Sequence, residues 1–492
     1  MRHAMSWMML AALALAAAGC GGGGGGDDGD ARDGIDGDVT DPEAQEGDPP
    51  VDPPADDVAT EDTVTDVPVD DVAGEEATGD CVAGPPVTFA DGVAWARDLH
   101  VGAGQAYATL SAAAAAASPG DRIVVHAGRY AGEYIGGLQG TSGQPIAIVG
   151  APGEDPPVFG DSDTGLQMSD PVYVLLQGII VESCAQNGIN IDDGGDYATP
   201  AGPIVVRGVT VRDVGSGGNE DGLKMSGVDG FVVHGNTIQR WGTGGGSAVD
   251  MVGCHDGLIA GNRFEHTAGL DGNTGVQAKG GCRNVEIRGN LFLNAGARGV
   301  NMGGSTGDPY FRPVGVGYEA SDIRVIANVF VGCQAAAAFV GCEDACLFAH
   351  NTVVLPEHWV WRIVNERPDI VPETRDGRVL FNIVVVGSSL GTFINIGPDT
   401  DPASFVFDGN LWFNEDDPGF TMDGIPNDAG LPIPQTGAVV QQDPLLADPA
   451  SEDFSLGDGS PAIGRAGSLP ERGLDYEEKC YADPASLGAV ER

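Results

Sequence analysis

Two lysines and an aspartate in the middle of the chain have residue types and a spacing that could do acid–base chemistry. Aligning the segments DGLKMSG, SAVDMVG and TGVQAKG places Lys224, Asp250 and Gln277 in one outward-facing column, with Lys279 two residues further on. A lysine removes a proton from a substrate only if part of it is neutral. Desolvation or a neighbouring cation favours that neutral form, whereas a nearby carboxylate opposes it.

This requirement separates the two lysines. Lys224 lies one strand spacing, about 5 Å, from Asp250 in the aligned column, and Glu220 and Asp221 precede it in the chain. These acids predict a cationic Lys224 that binds a carboxylate or forms a structural ion pair. Lys279 has no acid directly above or below it in the alignment, so it is predicted to be the better base. The alternative is that Lys279 is a solvated side chain, as most surface lysines are.

The column continues with polar side chains that could bind a substrate. Its members are Asn190, Lys224, Asp250, Gln277, Asn301, Ala338, Arg362 and Asn395. The predicted substrate-binding residues among them are Lys224, Asp250, Gln277, Asn301 and Arg362. Small residues, mostly glycines such as Gly275, stand directly before these strands, and we expect them to form a bare floor on which an extended chain could lie.

Aromatic side chains in neighbouring loops could line the same surface. The longest insertion, GSTGDPYFRPVGVGYEA (304–320), carries Tyr310, and Trp241 precedes another strand. Amphipathic aromatic rings suit sugars, which present apolar C–H faces. We therefore add Tyr310 and Trp241 to the predicted substrate-binding residues; the alternative for each ring is that it covers the edge of a coil.

The elements that must position these residues are the short strands of a repeat. Gly-Asn or a close relative recurs between apolar residues, at Asn236, Asn262, Asn290, Asn328, Asn351, Asn382 and Asn410. The spacing is typical of one coil of a solenoid, and each coil holds two or three alternating strands. Like residues would then stack about 4.8 Å apart, so the asparagines could hydrogen-bond one another along the inside of a turn.

This repeat resembles the right-handed parallel β-helix of pectate lyases, chondroitinase B and related proteins, over roughly Leu99 to Arg492. YATLSAAAAAASPGDRIVVHAGRY (107–130) is similar to the opening cap of that family, a short Ala-rich helix followed by the first strand. The resemblance implies an all-β, right-handed parallel β-helix solenoid with an N-terminal helical cap. It places the solenoid over 81–420 and a C-terminal cap or tail over 421–492.

The segment after Lys279 is also similar to chondroitinase B and its related alginate lyases. Gly280-Gly281, Asn284, Gly289-Asn290 and Phe292 follow in the family's order. The resemblance implies β-elimination on a uronate-containing polysaccharide, with Lys279 as the base. Gly303 stands where the family has a catalytic arginine, which leaves Arg298 as the candidate second cation. The calcium-binding acids of the family have no counterpart in NTGVQA, so a Ca²⁺ requirement stays open.

The first eighty residues predict export. Residues 1–20 have a short basic start, an apolar run and small residues before Cys20, which is typical of a signal peptide rather than a membrane span. Ala17-Ala18-Gly19-Cys20 resembles a bacterial lipoprotein box, which implies a lipidated Cys20 and a place on the bacterial envelope or cell surface; ordinary secretion is the alternative. Residues 21–80 are Gly-, Asp- and Pro-rich, and we expect a disordered acidic tether.

The charge balance argues against one class of partner. The chain has 72 acidic and 24 basic residues and a net charge of −48, which opposes binding to nucleic acid. An anionic glycan would need local cations or a metal. We therefore weigh two hypotheses for a monomeric, polysaccharide-binding protein: a polysaccharide lyase, or a non-catalytic glycan-binding, adhesin or structural β-helix of the cell envelope.

The cysteines predict disulfides, because an exported chain meets an oxidising compartment. Cys254 and Cys282 follow a glycine at the same strand exit on consecutive coils, so they are predicted to bond. Cys342 could pair with Cys346 in the same way. Cys81 could reach Cys480 only if the C-terminal tail folds back along the solenoid.

Overall fold

Short strands joined by turns make up almost the whole of the described chain, because apolar residues alternate with polar ones between glycines and asparagines. The computed structural model describes residues 81–216, 218–270, 272–344 and 346–492. The predicted signal peptide (1–20), its Cys20 and the predicted tether (21–80) lie outside them. Within the described ranges, no helix is long and apolar enough to cross a membrane.

The strands are numbered in chain order. The first third comprises β1 (Arg97–Val101), β2 (Asp121–Val125), β3 (Arg129–Tyr130), β4 (Glu133–Gly136), β5 (Ile146–Gly150), β6 (Val158–Gly160), β7 (Leu166–Ser169), β8 (Val174–Gln177), β9 (Ile180–Glu182), β10 (Ile189–Asp192), β11 (Ile204–Arg207) and β12 (Thr210–Arg212). The middle third comprises β13 (Leu223–Ser226), β14 (Asp229–His234), β15 (Thr237–Gln239), β16 (Ser247–Val252), β17 (His255–Ala260), β18 (Arg263–Glu265), β19 (Thr274–Lys279), β20 (Cys282–Arg288), β21 (Leu291–Leu293), β22 (Arg298–Gly303), β23 (Ala320–Ile326) and β24 (Val329–Val331). The last comprises β25 (Ala337–Val340), β26 (Cys342–Glu343), β27 (Leu347–Ala349), β28 (Thr352–Val354), β29 (Trp361–Val364), β30 (Arg378–Leu380), β31 (Ile383–Val386), β32 (Ile394–Ile396), β33 (Val406–Asp408), β34 (Leu411–Asn414), β35 (Val439–Val440), β36 (Leu446–Asp448) and β37 (Asp453–Leu456).

Three parallel sheets make up the solenoid. From β2 to β34, successive strands go to sheets 1, 2 and 3 in turn, except that β26 and β27 both belong to sheet 1. Sheet 1 has the order β1-β2-β5-β8-β11-β14-β17-β20-β23-β27-β30-β33, with β26 also paired to β23. Sheet 2 has the order β3-β6-β9-β12-β15-β18-β21-β24-β28-β31-β34-β35, and sheet 3 the order β4-β7-β10-β13-β16-β19-β22-β25-β29-β32. The chain thus passes through all three sheets once per coil. The predicted all-β parallel solenoid is confirmed.

The start of the solenoid is covered by the helix α1 (Leu110–Ala114). The Thr109 hydroxyl accepts a hydrogen bond from the backbone N–H of Ala112, and the Glu133 carboxylate accepts from the first two N–H groups of the helix. Both contacts satisfy donors that a helix start leaves unpaired. Leu110 and Ala113 face the core, so the helix closes the apolar end of the first coils, as predicted for a helical cap.

The recurring asparagines form the predicted ladder. Each amide Nδ2 donates to the Oδ1 of the asparagine on the next coil, from Asn236 to Asn410; the Asn290–Asn328 distance is 2.9 Å. Each ladder Oδ1 also accepts a backbone N–H, as that of Asn328 does from Asn290 at 3.0 Å. The side chains are fully buried, and a buried amide is tolerated only when its polar atoms are paired in this way.

The glycines at the start of the sheet 3 strands stand at positions whose side chains would point into the core. The predicted bare floor on the outer surface is therefore wrong. A Cβ added at Gly275 would lie 2.9 Å from the Phe292 ring, and one at Gly299 would lie 2.7 Å from the Phe330 ring. These positions lie at the corner between sheets 2 and 3, where the inward side chains of sheet 2 already fill the space. The glycines therefore serve core packing.

The C-terminal tail folds back along the solenoid. Cys81 and Cys480 are joined by a disulfide, and so are Cys342 and Cys346, two pairings that the sequence left open. Leu487 and Tyr481 of the tail pack in one apolar cluster with Leu380 of sheet 1 and Ile383 of sheet 2. The antiparallel pair β36–β37 lies in this tail.

The predicted Cys254–Cys282 disulfide is wrong: both residues are buried free thiols. The backbone N–H of Cys254 donates to the Cys282 sulfur at 3.2 Å, so the two coils do stack as the alignment indicates. Each thiol instead points along the core and donates to a backbone carbonyl of the preceding coil, that of Met225 or Met251, at 3.5 Å. Stacking brings the residues together without bonding them.

Candidate functional site

The outer side of sheet 3 carries the predicted polar column in continuous register. Asn190 pairs with Lys224, which pairs with Asp250, and the register continues through Gln277, Asn301, Ala338, Arg362 and Asn395. In the other direction it extends through Gln167 to Tyr134, two positions that the sequence alignment missed. We call this surface, from Tyr134 to Asn395, the polar face.

Asp250 lies between the two lysines of the polar face. Its Oδ2 is 3.3 Å from Lys224 Nζ, and its Oδ1 is 3.7 Å from Lys279 Nζ. The Asp250 side chain is only 3% exposed, whereas the two lysine side chains are 18% and 14% exposed. A buried carboxylate is stabilised by paired cations, and it favours the charged form of both ammonium groups in return.

The register confirms that Lys279 has no acid directly beside it on the preceding strand, where it pairs with Val252, but this is not sufficient to keep an acid away from it. Asp250 is on the preceding coil, paired with Gln277 rather than with Lys279. The long lysine side chain reaches this carboxylate diagonally across the sheet. An alignment by columns compares residues directly above and below one another and misses such diagonal contacts.

Asp221 adds a second buried carboxylate at the entry of β13. Its Oδ2 is 3.6 Å from Lys224 Nζ, and its Oδ1 accepts the backbone N–H of Ser247 at 2.7 Å. Burial, followed by the charge of Asp250, raises the pKa of Asp221 well above its usual range. The Asp221 carboxyl consequently neutralises less of the lysine charge than its position alone indicates.

Two arginines extend the cationic region along the polar face. Arg298 donates to Glu366 Oε1 at 2.6 Å and to Asn301 Oδ1 at 3.2 Å. Arg362 donates to Asn395 Oδ1 at 2.8 Å and lies 4.9 Å from the centre of the Trp359 ring. Burial, followed by the charge of Arg298, lowers the pKa of Arg362 to about 10.

The 304–320 insertion is fastened at the exit of β19, beside Lys279. The buried Glu319 carboxylate accepts from the backbone N–H of Gly280 and from the N–H and hydroxyl of Thr306, at 2.7 to 2.8 Å. Burial raises the pKa of Glu319 above its usual value, although these hydrogen bonds oppose that effect. A Cβ added at Gly304 would lie 3.2 Å from the Lys279 stem. The insertion thus packs on that stem without fully covering the lysine.

The two predicted aromatic contacts have different outcomes. Tyr310 is 50% exposed in the insertion and can reach a ligand. Trp241 is 1% exposed and packs edge-on against His266, with 4.9 Å between ring centres, so its prediction as a substrate-binding residue on the polar face is wrong. The loop aromatic that does contact the polar face is Trp359, which precedes β29 in the sequence as Trp241 precedes β16.

The acids near the polar face do not fit a calcium site. Among the described residues, no group of three or more His, Cys, Asp or Glu side chains is arranged to hold a metal ion. The Asp192 carboxylate, at the exit of β10, accepts hydrogen bonds from the side chains of Gln167, Ser169 and Asn190. These protein donors occupy the oxygens that a cation would need.

Comparisons with known proteins agree on the architecture. Residues 164–353 match the family model described as right handed beta helix region. No curated protein sequence matches the chain.

Solved structures with similar folds include a pectate lyase, Pel9A, at 15% identity and a TM-score of 0.49, over 82% of this chain and 98% of that one. An alginate lyase from Paenibacillus sp. str. FPU-7 has 16% identity and a TM-score of 0.41, over 62% and 99% of the two chains. A rhamnogalacturonan lyase has 14% identity and a TM-score of 0.46, over 64% and 87%. Similarity at this level does not extend to activity. The three parallel sheets and the family match together identify the chain as a right-handed parallel β-helix.

Proposed function

We propose that the polar face binds an anionic, uronate-containing glycan and that the protein is carbohydrate-active. The observation that carries this proposal is the concentration of cations on one surface of a very acidic chain. Two of the three lysines in the sequence, Lys224 and Lys279, lie there beside Arg298 and Arg362. In keeping with the N-terminal sequence, we place this activity outside the cytoplasm, on a lipid anchor at Cys20 or after secretion.

The cations in the middle of this surface support binding of carboxylates. Asp250 and Glu366 are paired with cations, and the raised pKa of Asp221 reduces its negative charge. Among the described residues, Arg362 forms no ion pair and donates to the neutral amide of Asn395. The lysines and guanidinium groups of this face offer donors that match a carboxylate, and the negative charges of Asp192 and Asp428 lie toward its two ends, on Asn190 and Asn395.

The neutral residues between the cations suit sugar hydroxyl groups. Asn301 is only 2% exposed, so it does not reach a ligand as predicted; its Nδ2 instead donates to Gln277 Oε1 at 3.2 Å and fixes the partly exposed Gln277 amide. Fixed amides lose little conformational entropy when they bind a ligand. Cations and amides on successive strands thus match a polymer that carries carboxylates and hydroxyls along its length.

The experiment that tests this proposal is calorimetric titration of oligouronates of different sugars into residues 81–492 and its lysine variants. We expect Lys279→Ala and Lys224→Ala each to lower the affinity by about tenfold, because each removes a carboxylate-binding cation. Lys479→Ala is the matched control, since Lys479 lies in the tail with a 63% exposed side chain and pairs with Glu477. Absence of binding to every oligouronate, or an equal loss in the Lys479 variant, would contradict the proposal.

A second candidate function is β-elimination, and the lowered pKa of Arg362 favours it. In this reaction a base takes the proton from C5 of the uronate, the C4–O bond breaks, and the leaving oxygen keeps that electron pair and takes up a proton. A double bond forms between C4 and C5. A cation shifted toward its neutral form is the better base. Lys279, by contrast, has the Asp250 carboxylate 3.7 Å from its Nζ.

Ultraviolet absorbance of the new double bond tests this second function. A rise with one polyuronate that is lost in Arg362→Ala but retained in Lys479→Ala would assign the base to Arg362. A rise lost only in Lys279→Ala would return that role to Lys279, as first predicted from the sequence. If no polyuronate gives a rise although oligouronates bind, the polar face is a binding surface without elimination activity.

A further inference from the structure

Tyr134 is an exposed aromatic ring at the end of the polar face opposite Arg362. It lies on β4, the terminal strand of sheet 3, and pairs with Gln167 in the outward column. The residue is 63% exposed, and its ring extends along its own strand over Gly136. A Cβ added at Gly136 would lie 3.2 Å from Tyr134 Cε1 and from its hydroxyl oxygen. The absence of a side chain at Gly136 thus lets the ring lie along the sheet.

The next two positions of the column are neutral amides with fixed orientations. Asn190 Nδ2 donates to Gln167 Oε1 at 2.8 Å, and Gln167 Nε2 donates to the Asp192 carboxylate. These hydrogen bonds keep the two amides in place beside Tyr134. The polar face therefore has two halves: one on β4, β7 and β10, where two amides held by the Asp192 carboxylate lie beside Tyr134, and a cationic half that begins with Lys224 on β13.

The other exposed aromatic residues are on the same side of the molecule. Among the described residues, the exposed aromatic side chains are Tyr134, Tyr197 and Tyr310. Tyr197 follows β10 and Tyr310 follows β22, so both lie in loops at the exit of sheet 3 strands. The two are close enough for Tyr310 to contribute to the raised pKa of Tyr197, after burial and Asp193. A single exposed aromatic ring is common on protein surfaces, but these three tyrosines all lie on a strand of sheet 3 or in the loops at the exits of its strands.

We propose that Tyr134, with Gln167 and Asn190, forms a stacking subsite for an uncharged face of a sugar ring, so that the ligand is a long glycan lying across the strands. This inference rests on the proposed function, because the cationic half must hold the same chain. The ring supplies the apolar surface that sugar C–H faces contact, and the two amides supply hydrogen-bond partners for hydroxyls.

Strand spacing sets the length of glycan that the subsite requires. Lys224 to Lys279 spans β13 to β19, about 10 Å, which a trisaccharide covers. Tyr134 on β4 lies three strands before β13, about 14 Å further along the sheet. A chain held by the lysines must therefore carry roughly three more sugar rings to reach Tyr134. The whole face from β4 to β32 covers about 43 Å.

Chain length is thus the variable that reveals the subsite. The experiment titrates a trisaccharide and an octasaccharide of a bound uronate into the full chain and its variants. We expect Tyr134→Ala to weaken octasaccharide binding by about tenfold and to leave trisaccharide binding unchanged. Tyr134→Phe keeps the ring and should bind both as the unmodified protein does. Val406→Ala, which shortens an apolar side chain that is 50% exposed on sheet 1, is the matched control.

Each other outcome overturns the inference in a recognisable way. Unchanged octasaccharide affinity in Tyr134→Ala places the ring outside the site. An equal loss for both lengths indicates a general disturbance of the fold, which thermal unfolding of the variant would reveal. If the unmodified protein binds neither oligosaccharide, the proposed function fails and the subsite with it. Loss in Tyr134→Phe would assign the contact to the hydroxyl rather than to stacking.

Discussion

The β-helix contains two stacked columns of polar residues, and they differ in almost every respect except their spacing. The asparagine ladder lies inside a turn, repeats one residue type and pairs each amide with the next. The polar face lies outside sheet 3, changes residue type at almost every strand and leaves side chains such as Gln277 partly exposed. A column whose hydrogen-bonding groups pair with one another stabilises the solenoid, whereas a column of mixed residue types keeps donors and charges available to a ligand.

The largest expected effect is a loss of folding stability at low pH, and it comes from a buried histidine beside the asparagine ladder. His350, next to the ladder residue Asn351, is fully buried and donates its Nδ1–H to the carbonyl of Ser486 in the tail. Burial lowers its pKa from 6.5 to about 3. A histidine whose folded pKa is depressed contributes stability above its unfolded pKa and loses it as the pH falls toward the folded one. Between those values the free energy of unfolding should fall by about 1.4 kcal/mol per pH unit.

Urea unfolding of residues 81–492 at pH 7 and at several values down to pH 4 measures this slope. His350→Gln is the matched variant, because its side-chain amide can donate to Ser486 but does not titrate. We expect a shallower acid dependence in that variant. Identical slopes in the two proteins would show that other groups control the acid response.

Breaking the ladder should have the next largest effect. Asn290→Ala removes an amide that pairs with Asn262 and Asn328 and leaves buried backbone and side-chain groups without partners. We expect the free energy of unfolding to fall by about 3 kcal/mol. Chemical denaturation measures the change, and the affinity for an oligouronate should stay as it is once the protein is folded. A loss below about 0.5 kcal/mol would mean that the ladder contributes little to stability.

A methyl group at the corner between sheets 2 and 3 should be somewhat less damaging. Gly275→Ala places a Cβ 2.3 Å from the carbonyl oxygen of Gly299 and 2.9 Å from the Phe292 ring. Overpacking of this kind destabilises by about 2 kcal/mol. Gly391→Ala is the control, because no heavy atom lies within 4 Å of the added Cβ there. Equal melting temperatures of the two variants would contradict the inward direction of the glycine column.

The smallest effect on stability is expected on the polar face itself. Gln277→Ala removes a partly exposed amide, so the free energy of unfolding should change by less than about 0.5 kcal/mol. The affinity for an oligouronate should nevertheless fall several-fold, because one polar contact is lost. Denaturation and calorimetry on the same variant separate the two quantities. A large loss of stability without a loss of affinity would place Gln277 with the ladder as a structural residue.

The sequence was sufficient to predict the features that depend on backbone periodicity. Alternation and the recurring Gly-Asn pairs predicted the solenoid, the ladder and the register from Asn190 to Asn395, because parallel strands fix which residues lie above one another. Tyr134 and Gln167 were missed because the alignment began at Asn190, although TGLQMS around Gln167 repeats the pattern of DGLKMS around Lys224. Those two residues extend the candidate site by two strands.

Features that depend on the direction of single side chains could not be predicted. Lys279 reaches Asp250 diagonally, and the thiols of Cys254 and Cys282 turn to different carbonyls although their backbones stack. Trp241 turns into the core at the end of a strand, where the alternation that separates inside from outside no longer holds. Torsion angles, corners and neighbouring loops decide such contacts, and a pattern of residue types does not encode them.

The disulfide between Cys81 and Cys480 has a mechanical consequence. The backbone N–H of Gly84 also donates to the carbonyl of Glu478, so the start of the described chain is tied to its tail at two neighbouring points. A pulling force that arrives at Cys81 from the preceding residues divides between the first strand and the tail. The tail in turn packs on later coils of sheets 1 and 2. The force is thus shared between the first coil and the later coils on which the tail packs. The Cys81–Cys480 bond opposes separation of the first coil from the rest of the solenoid.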